Sequence, residues 1–556
     1  MDTNEELTIH AQQLQSRREF LKRVGGGIVV FVGFGGPLGA VVEAETRGGR
    51  VPTDFNAFLR IAADGRVTCL TGKIEMGQGP ITSLAQMLAD ELDVSYEAVD
   101  MVMGDTDLCP WDMGTWGSLT TRAFGPLLRS AAAEARGVLL ELASESLNVA
   151  TSQLKARDGV IFDRKNPKKR VSYGALAKGE SIARHLAVKP ELKDVSEFRI
   201  MGRPMLRRDS LEKVTGAAKY AADIRLPRML YAKILRPPAH GAKLKSVDTS
   251  GARKVAGVRV VEDGEFIAAL HPAPDVAHEA LGRVKAEFDM PAATVTDATI
   301  HEHLRRTAPK GSAAAQGGDL RRGRKLAART IENTFFDGYV AHAPIETHAA
   351  LANIEGGKCT VWASTQNPFG ARDQVARAIG FRPSSVRVIT PFVGGGFGGK
   401  TGNIQAVEAA RLAKTVGRPV QVMRTREEEF FYDTFRPAAV VHISSGIDGS
   451  GRMTFWDYDV LFAGPRGSEH FYNIPHHRTI ARPRSLRGGP GTHPFATGAW
   501  RAPGNSTNTF ARESQIDAMA AAAGSDPIEF RLKHLDDPRM IRVLKAIAKK
   551  FGWARA

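Results

Sequence analysis

Cysteine is nearly absent from this 556-residue chain: Cys69, Cys109 and Cys359 are the three, and no C-x-x-C pair occurs. Three thiols cannot supply the four thiolates of an iron–sulfur cluster or a zinc site. Electrons leaving this protein would therefore need a second chain to carry them. Nucleic-acid-binding motifs are missing too. The formal charge of +16 is spread along the chain and not gathered with aromatics, so nucleic acid is not the expected partner. An acidic partner subunit or the anionic face of a membrane accounts for that charge at least as well. Long apolar runs are also lacking, since the uncharged stretch 25–42 holds seven glycines and a proline and would make a poor spanning helix.

Hydrophobic residues at 43% and charged residues at 24% are ordinary for a globular protein. Single cores rarely exceed roughly 250 to 300 residues, so several domains are expected. Glycine is what stands out, and it is concentrated in loops. Residues 393–400 read Val-Gly-Gly-Gly-Phe-Gly-Gly-Lys, with five glycines in eight positions. Such density frees the backbone for positive φ and removes Cβ atoms that would block a bulky ligand. The pattern predicts a strand over 385–392 and a helix over 403–416, closed by Gly417 and Pro419. Strand, loop and helix N-terminus can cradle an anion or phosphate; the alternative is a tight structural turn. The loop is neither G-x-x-x-x-G-K-[ST] nor a dinucleotide fingerprint with its acidic residue, which excludes a nucleoside triphosphate site.

Near the N-terminus, Ser16-Arg17-Arg18-Glu19-Phe20-Leu21-Lys22 precedes the uncharged stretch. The string matches twin-arginine export signals, so residues 1–45 are read as a leader and the periplasm, with the membrane as a further location, as the destination. After it, an Asp64-Gly65 turn joins two predicted strands. They run into a second glycine loop at residues 72–79, then a helix over 81–92 with Leu84, Met87, Leu88 and Leu92 on one face. Gln78, between Gly77 and Gly79, presents an amide that both donates and accepts. The polar stretch 112–122, with Gly117 and Ser118, opens a helix over 123–147; it suits an anion, or Ser118 or Thr120 simply caps the helix.

Residues 149–196 read as basic and irregular, and a separate α+β unit follows to about residue 290. Residues 305–325 have the composition of a mobile linker. His342, Glu346 and His348 lack a trusted zinc spacing, so hydrogen bonds that fix a turn are the favoured reading. Gln366 is placed to project into a cleft at the carboxyl end of a sheet. Arg501, on the glycine and proline loop 497–504, is either a bidentate clamp for a carboxylate or phosphate or a surface ion pair.

Together, Glu75-Met-Gly-Gln-Gly79, Ser364-Thr-Gln-Asn367, the glycines from Gly394 to Lys400 and Trp500-Arg-Ala-Pro-Gly504 resemble the motifs of one family. It is the molybdenum-cofactor-binding large subunit of the xanthine dehydrogenase and aldehyde oxidase type. Within it the chain is most similar to the exported beta subunit of isoquinoline 1-oxidoreductase. The resemblance implies an α+β molybdopterin-binding fold with an inserted α/β-hammerhead domain. It divides the chain into a cofactor-binding segment at 50–200, the hammerhead at 213–292 and a second cofactor-binding domain at 326–556. It implies a molybdenum–pterin cofactor in the cytosine dinucleotide form and a small partner subunit carrying iron–sulfur clusters. No protein ligand to the metal is expected.

The resemblance also assigns roles. Gln366 would hydrogen-bond the apical oxo ligand of the metal, and Gly395, Gly396, Phe397 and Gly398 would lie against the metal centre. Gly77, Gln78 and Gly79, with Gly117 and Ser118, would hold the pterin and its phosphates, and Arg501 would face a small organic substrate. The implied reaction is hydroxylation of an aldehyde or N-heteroaromatic carbon with water as oxygen donor. The family's base is a glutamate in a G-x-G-E motif near its C-terminus. Here Gly-Glu occurs only as Gly179-Glu180 and Gly264-Glu265. Two expectations follow: a large-subunit fragment completed by a second chain that supplies the last lobe, or a truncated remnant that binds cofactor or partner without catalysis.

Overall fold

The computed structural model describes residues 27–33, 55–177, 181–182, 191–483 and 492–555. The twin-arginine string at 16–22 lies outside the described residues. Residues 27–33, within the stretch read as leader, form the strand Gly27–Gly33, antiparallel to Phe55–Ile61 and parallel to Ser181–Ile182. Beyond Phe55–Ile61 the sheet continues through Val67–Thr71 and Val99–Met103. Ile61 pairs with Val67 across the Asp64-Gly65 turn, as the turn chemistry requires. Helices Pro80–Leu92 and Gly125–Leu147 cover this sheet. Leu84, Leu88 and Leu92 recur at four-residue spacing, so one stripe of the first helix meets Leu59, Ile61 and Val67 in the core.

A seven-stranded sheet forms the middle of the molecule, in the order Arg259–Asp263, Phe266–His271, Leu230–Ile234, Val420–Met423, Ala349–Glu355, Lys358–Ala363, Val386–Ile389. Its first three strands come from the 213–292 region and continue the sheet without a break, because Leu230–Ile234 runs parallel to Val420–Met423. Helices Pro368–Ile379 and Ile404–Val416 bury Ala371, Val375, Ile379, Ala406, Ala409 and Ala413 against it. Alanine on both helices permits close approach to the sheet.

The third sheet runs Ser312–Gly317, His476–Arg482, Met453–Leu461, Ala439–Ile447, Arg329–Asp337, with helix Gly504–Ala522 packed over its core of Val441, Trp456, Tyr458 and Met519. Residues 305–325 therefore do not behave as their linker-like composition suggests. They close the helix Ile300–Thr307 and form the edge strand and the helix Leu320–Leu326, which Asp319 caps through the Arg321 and Arg322 amides. Residues 149–196 likewise include three short paired strands: Leu154–Arg157, Val160–Asp163 and Arg170–Ser172. Among the described residues no helix is long and apolar enough to cross a membrane.

The first two sheets meet near the ends of Val99–Met103 and Val386–Ile389. Asp105 bridges to Ile389, and its carboxylate forms an ion pair with Arg387. The Val393 amide donates to the Glu75 carbonyl at 3.1 Å. That single bond ties the two glycine loops together.

Candidate functional site

Gln366 is the hub. Only 1% exposed, it does not project into an open cleft. Its Oε1 accepts the Gly398 N–H at 3.0 Å and its Nε2 donates to the Thr115 carbonyl at 2.8 Å. Its own backbone donates to the Lys400 carbonyl at 2.7 Å and accepts from Thr115 at 2.9 Å. One amide thus holds the 393–400 loop and the 112–118 loop in fixed register.

The glycines of 393–400 are required first by neighbouring protein. A Cβ at Gly396 would lie 2.5 Å from Gln366 Oε1, one at Gly394 2.5 Å from the Glu346 Cβ, and one at Gly398 2.0 Å from the Ala499 carbonyl. Beneath the loop, Lys400 is fully buried and pairs with Glu346 at 2.7 Å. Burial pushes the Lys400 amine below its ordinary value, against the pull of Glu346. Glu346 Oε2 also accepts the Gly394 N–H, while Oε1 is buried without a partner.

The side chains of residues 342–348 are hydrogen-bonded, as expected, but they diverge and tie the segment to distant residues and do not close a local turn. His342 meets Asp433 at 2.8 Å, His348 meets Glu429 at 2.8 Å, and Glu346 takes Lys400. Glu429 sits at about 2: burial alone would raise it, but the His348 hydrogen bond and charge outweigh that. His348 is lowered, chiefly by burial.

In the second glycine loop, Glu75 accepts the Gly77 and Gly79 amides at 2.8 and 3.1 Å. Arg207 donates to the Gly77 carbonyl at 2.8 Å and pairs with Asp209. Gln78 is folded back, donating to the Ile74 carbonyl and accepting from the Met76 amide, so its side chain shapes its own loop. A Cβ at Gly77 would meet nothing within 4 Å. Lys73 fastens this loop to the 112–118 loop through Asp112 and the Gly114 carbonyl, both at 2.9 Å. There Gly117 and Ser118 both take left-handed φ, 65° and 58°. Neither Ser118 nor Thr120 caps the helix, which starts through a π turn at Thr120–Phe124 without a side-chain cap.

Arg501 and Phe397 come together at the exposed side. The guanidinium lies 4.1 Å from the Phe397 ring centre, and the Arg501 amide donates to the Phe397 carbonyl at 3.0 Å. Phe397 is 40% exposed and itself has a left-handed φ of 56°. Gln366, Gly395 to Gly398, Phe397 and Arg501 therefore form one cluster. Gly117 and Ser118 join it through Thr115, and Gly77 to Gly79 through Glu75 and Val393. Thr115, Lys73, Arg207 and Asp433, the partner of His342, were not singled out from sequence. The first two lie in stretches that glycine density flags, whereas Asp433, 91 residues from its histidine, carries no local signal.

Among the described residues the amides of Gly117, Ser118, Gly395, Gly396 and Phe397 have no protein acceptor. No group of three metal-ligating side chains occurs there. Donors without acceptors fit an anionic group.

Residues 5–220 and residues 300–535 each match a molybdopterin cofactor-binding domain. The chain is 29% identical to a nicotinate dehydrogenase subunit of Pseudomonas putida over 98% of its own length and 48% of that protein. It is 27% identical to the isoquinoline 1-oxidoreductase beta subunit of Brevundimonas diminuta over 97% of its length and 78% of that protein. The chain thus spans about half the length of the first of these relatives. Among solved structures it resembles quinoline 2-oxidoreductase from Pseudomonas putida 86, with a TM-score of 0.54 and 21% identity over 64% of this chain and 54% of that one. The aldehyde oxidoreductase of Desulfovibrio gigas gives the same TM-score and identity over 66% and 48%. These likenesses define the class as an α+β molybdopterin-binding fold. The chain belongs to the molybdenum-binding large subunits of the xanthine dehydrogenase and aldehyde oxidase family.

Proposed function

We propose that this chain holds the cofactor of a molybdenum hydroxylase that oxidises an aldehyde or an N-heteroaromatic compound with water as oxygen donor. The observation that carries the reading is the joining of two loops by Gln366, with the 72–79 and 497–504 loops tied to them through Glu75, Lys73 and Phe397, beside a row of amides that lack acceptors. In this reading the wall of Gly395 to Gly398, fixed by Gln366 through the Gly398 amide, would hold the metal end. The loop of Gly77, Gln78 and Gly79, shaped by Glu75 and the Gln78 amide, would lie against the pterin, and the Gly117 and Ser118 amides would hold its phosphates, in a cytosine dinucleotide form. The bound group supplies the two-electron oxidation and the activated water. The protein contributes orientation: the Gln366 amide fixes both walls, and Phe397 gives the substrate an apolar surface. Arg501 presents its remaining N–H groups to an oxygen or ring nitrogen of the substrate. Electrons pass to a separate iron–sulfur subunit, for which the scarcity of cysteine is the support, and export rests on the Ser16 to Lys22 string.

A second reading, cofactor or partner binding without turnover, draws on the carboxylates. Glu75 is engaged by the Gly77 and Gly79 amides, Asp433 by His342, and Glu346 by Lys400. A residue that removes a proton from the reacting water would then be a group other than these three, on this chain or another. Turnover in ¹⁸O-labelled water separates the two readings, using the chain purified with its co-expressed subunits and an artificial electron acceptor. Label in the carboxylate or lactam product supports the hydroxylase; a metal-loaded complex that turns over no aldehyde or heteroaromatic leaves the binding reading.

A further inference from the structure

We infer that His342 is a positioning residue for Arg501, acting through the Ala499 carbonyl. The inference rests on the reading of Arg501 as the cation that faces the substrate. His342 is buried and held on one side by Asp433: its backbone amide donates to Asp433 Oδ2 at 2.6 Å, and its Nδ1 lies 2.8 Å from Oδ1. Its other ring nitrogen, Nε2, lies 2.7 Å from the Ala499 carbonyl. A carbonyl only accepts, so Nε2 carries the hydrogen of this bond. The imidazole thus bridges a carboxylate 91 residues and a backbone carbonyl 157 residues further along the sequence than itself.

What that backbone does next gives the contact its meaning. Residues 499, 500 and 501 are each tied separately to the floor of the site. Ala499 is tied to His342, the Trp500 indole donates to the Ala341 carbonyl at 3.1 Å, and the Arg501 amide donates to the Phe397 carbonyl at 3.0 Å. Ala502, the next residue, has a left-handed φ of 63°, an unfavourable state for alanine that such anchoring maintains. There is no slack between the partners. A Cβ on Gly398 would meet the Ala499 carbonyl at 2.0 Å and His342 Nε2 at 3.2 Å. The ring, the carbonyl and the glycine loop are therefore in mutual contact. His342 is buried beneath the loop while the guanidinium lies over the half-exposed Phe397 ring, so its influence on Arg501 passes through the turn.

Hydrogen exchange read by mass spectrometry on the full chain tests this, comparing His342→Phe and His342→Gln with wild type. His342→Phe fills the ring's space without a donor. It is expected to speed exchange in the peptide covering 497–503 about tenfold or more, while the core strand Ala439–Ile447 keeps its protection. Gln can donate from the same direction, so His342→Gln is expected to restore most of the protection. Should the Phe variant also expose 439–447, His342→Met, smaller and equally without a donor, replaces it. In turnover, His342→Phe should lower kcat/KM about as far as Arg501→Ala, and the double variant should fall no further. Unchanged exchange at 497–503 in a folded donorless variant, or additive losses in the double variant, would overturn the inference. Exchange requires no activity, so an inactive wild type would count against the hydroxylase reading alone.

Discussion

Gly398 shows at the scale of one residue why the loop must be glycine. Its φ of +113° disfavours any side chain, and an added Cβ would lie 2.0 Å from the Ala499 carbonyl. Gly398→Ala is expected to cost roughly 2 kcal/mol or more, seen as a lower urea midpoint with an unchanged slope. The Glu346–Lys400 pair gives a second prediction. Lys400→Met leaves a buried carboxylate without its cation and should destabilise by roughly 3 kcal/mol. Adding Glu346→Gln should recover most of that loss in the same denaturation experiment, because the penalty lies in the unpaired charge. A double variant no better than Lys400→Met would show that the methylene stem of the lysine matters more than its charge.

The short helix Arg426–Tyr432 organises the floor of the site at the scale of an element. Thr425 caps it: its hydroxyl accepts the Glu428 amide at 3.1 Å, and Glu428 accepts the Thr425 amide in return. The helix then presents Glu429 to His348 and ends beside Asp433, the partner of His342. Thr425→Ala is expected to cost about 1 kcal/mol and to raise hydrogen exchange in 426–433 before exchange in the sheets. The capping box is written in the sequence as Thr425-Arg-Glu-Glu428, but its consequence is not, since the histidines it supports lie some eighty or more residues away. The glycine loops were legible because composition alone reports where side chains cannot go. By contrast, the strands of 149–196 were hidden by their basic residues. Helix Pro538–Phe551 was hidden by five cations interleaved with Val543, Ile547 and Phe551, three apolar residues that remain exposed.

At the scale of the whole molecule, stability responds to pH through two half-buried histidines in the C-terminal part. Burial, reinforced by the neighbouring His477 charge, holds His470 at about 4, and burial does the same for His493. Both folded values lie below the ordinary 6.5. The unfolded chain therefore takes up protons first as pH falls, and stability declines from about pH 6.5 toward 4. For His470 the expected loss between pH 7.5 and pH 5 is roughly 2 kcal/mol. Thermal midpoints of wild type should drop across that interval, and those of His470→Asn should drop less. The strand–loop–helix units around the glycine loops followed from periodicity, whereas the α+β fold class came from the family resemblance of the loop motifs. How the loops converge was not legible, since Gln366, Thr115 and Gly398 share no local pattern and meet only when the sheets are assembled.

The central claim is that these loops hold a molybdenum–pterin group, and the molybdenum and pterin content of the purified full chain tests it most directly. Wild type from a host that makes the cofactor should carry the two in equal amounts. Gly396→Val, whose side chain would strike Gln366 Oε1, should lose both while keeping its circular dichroism. A folded wild-type chain free of molybdenum and pterin, or a Gly396→Val variant with an undiminished load, would contradict the account.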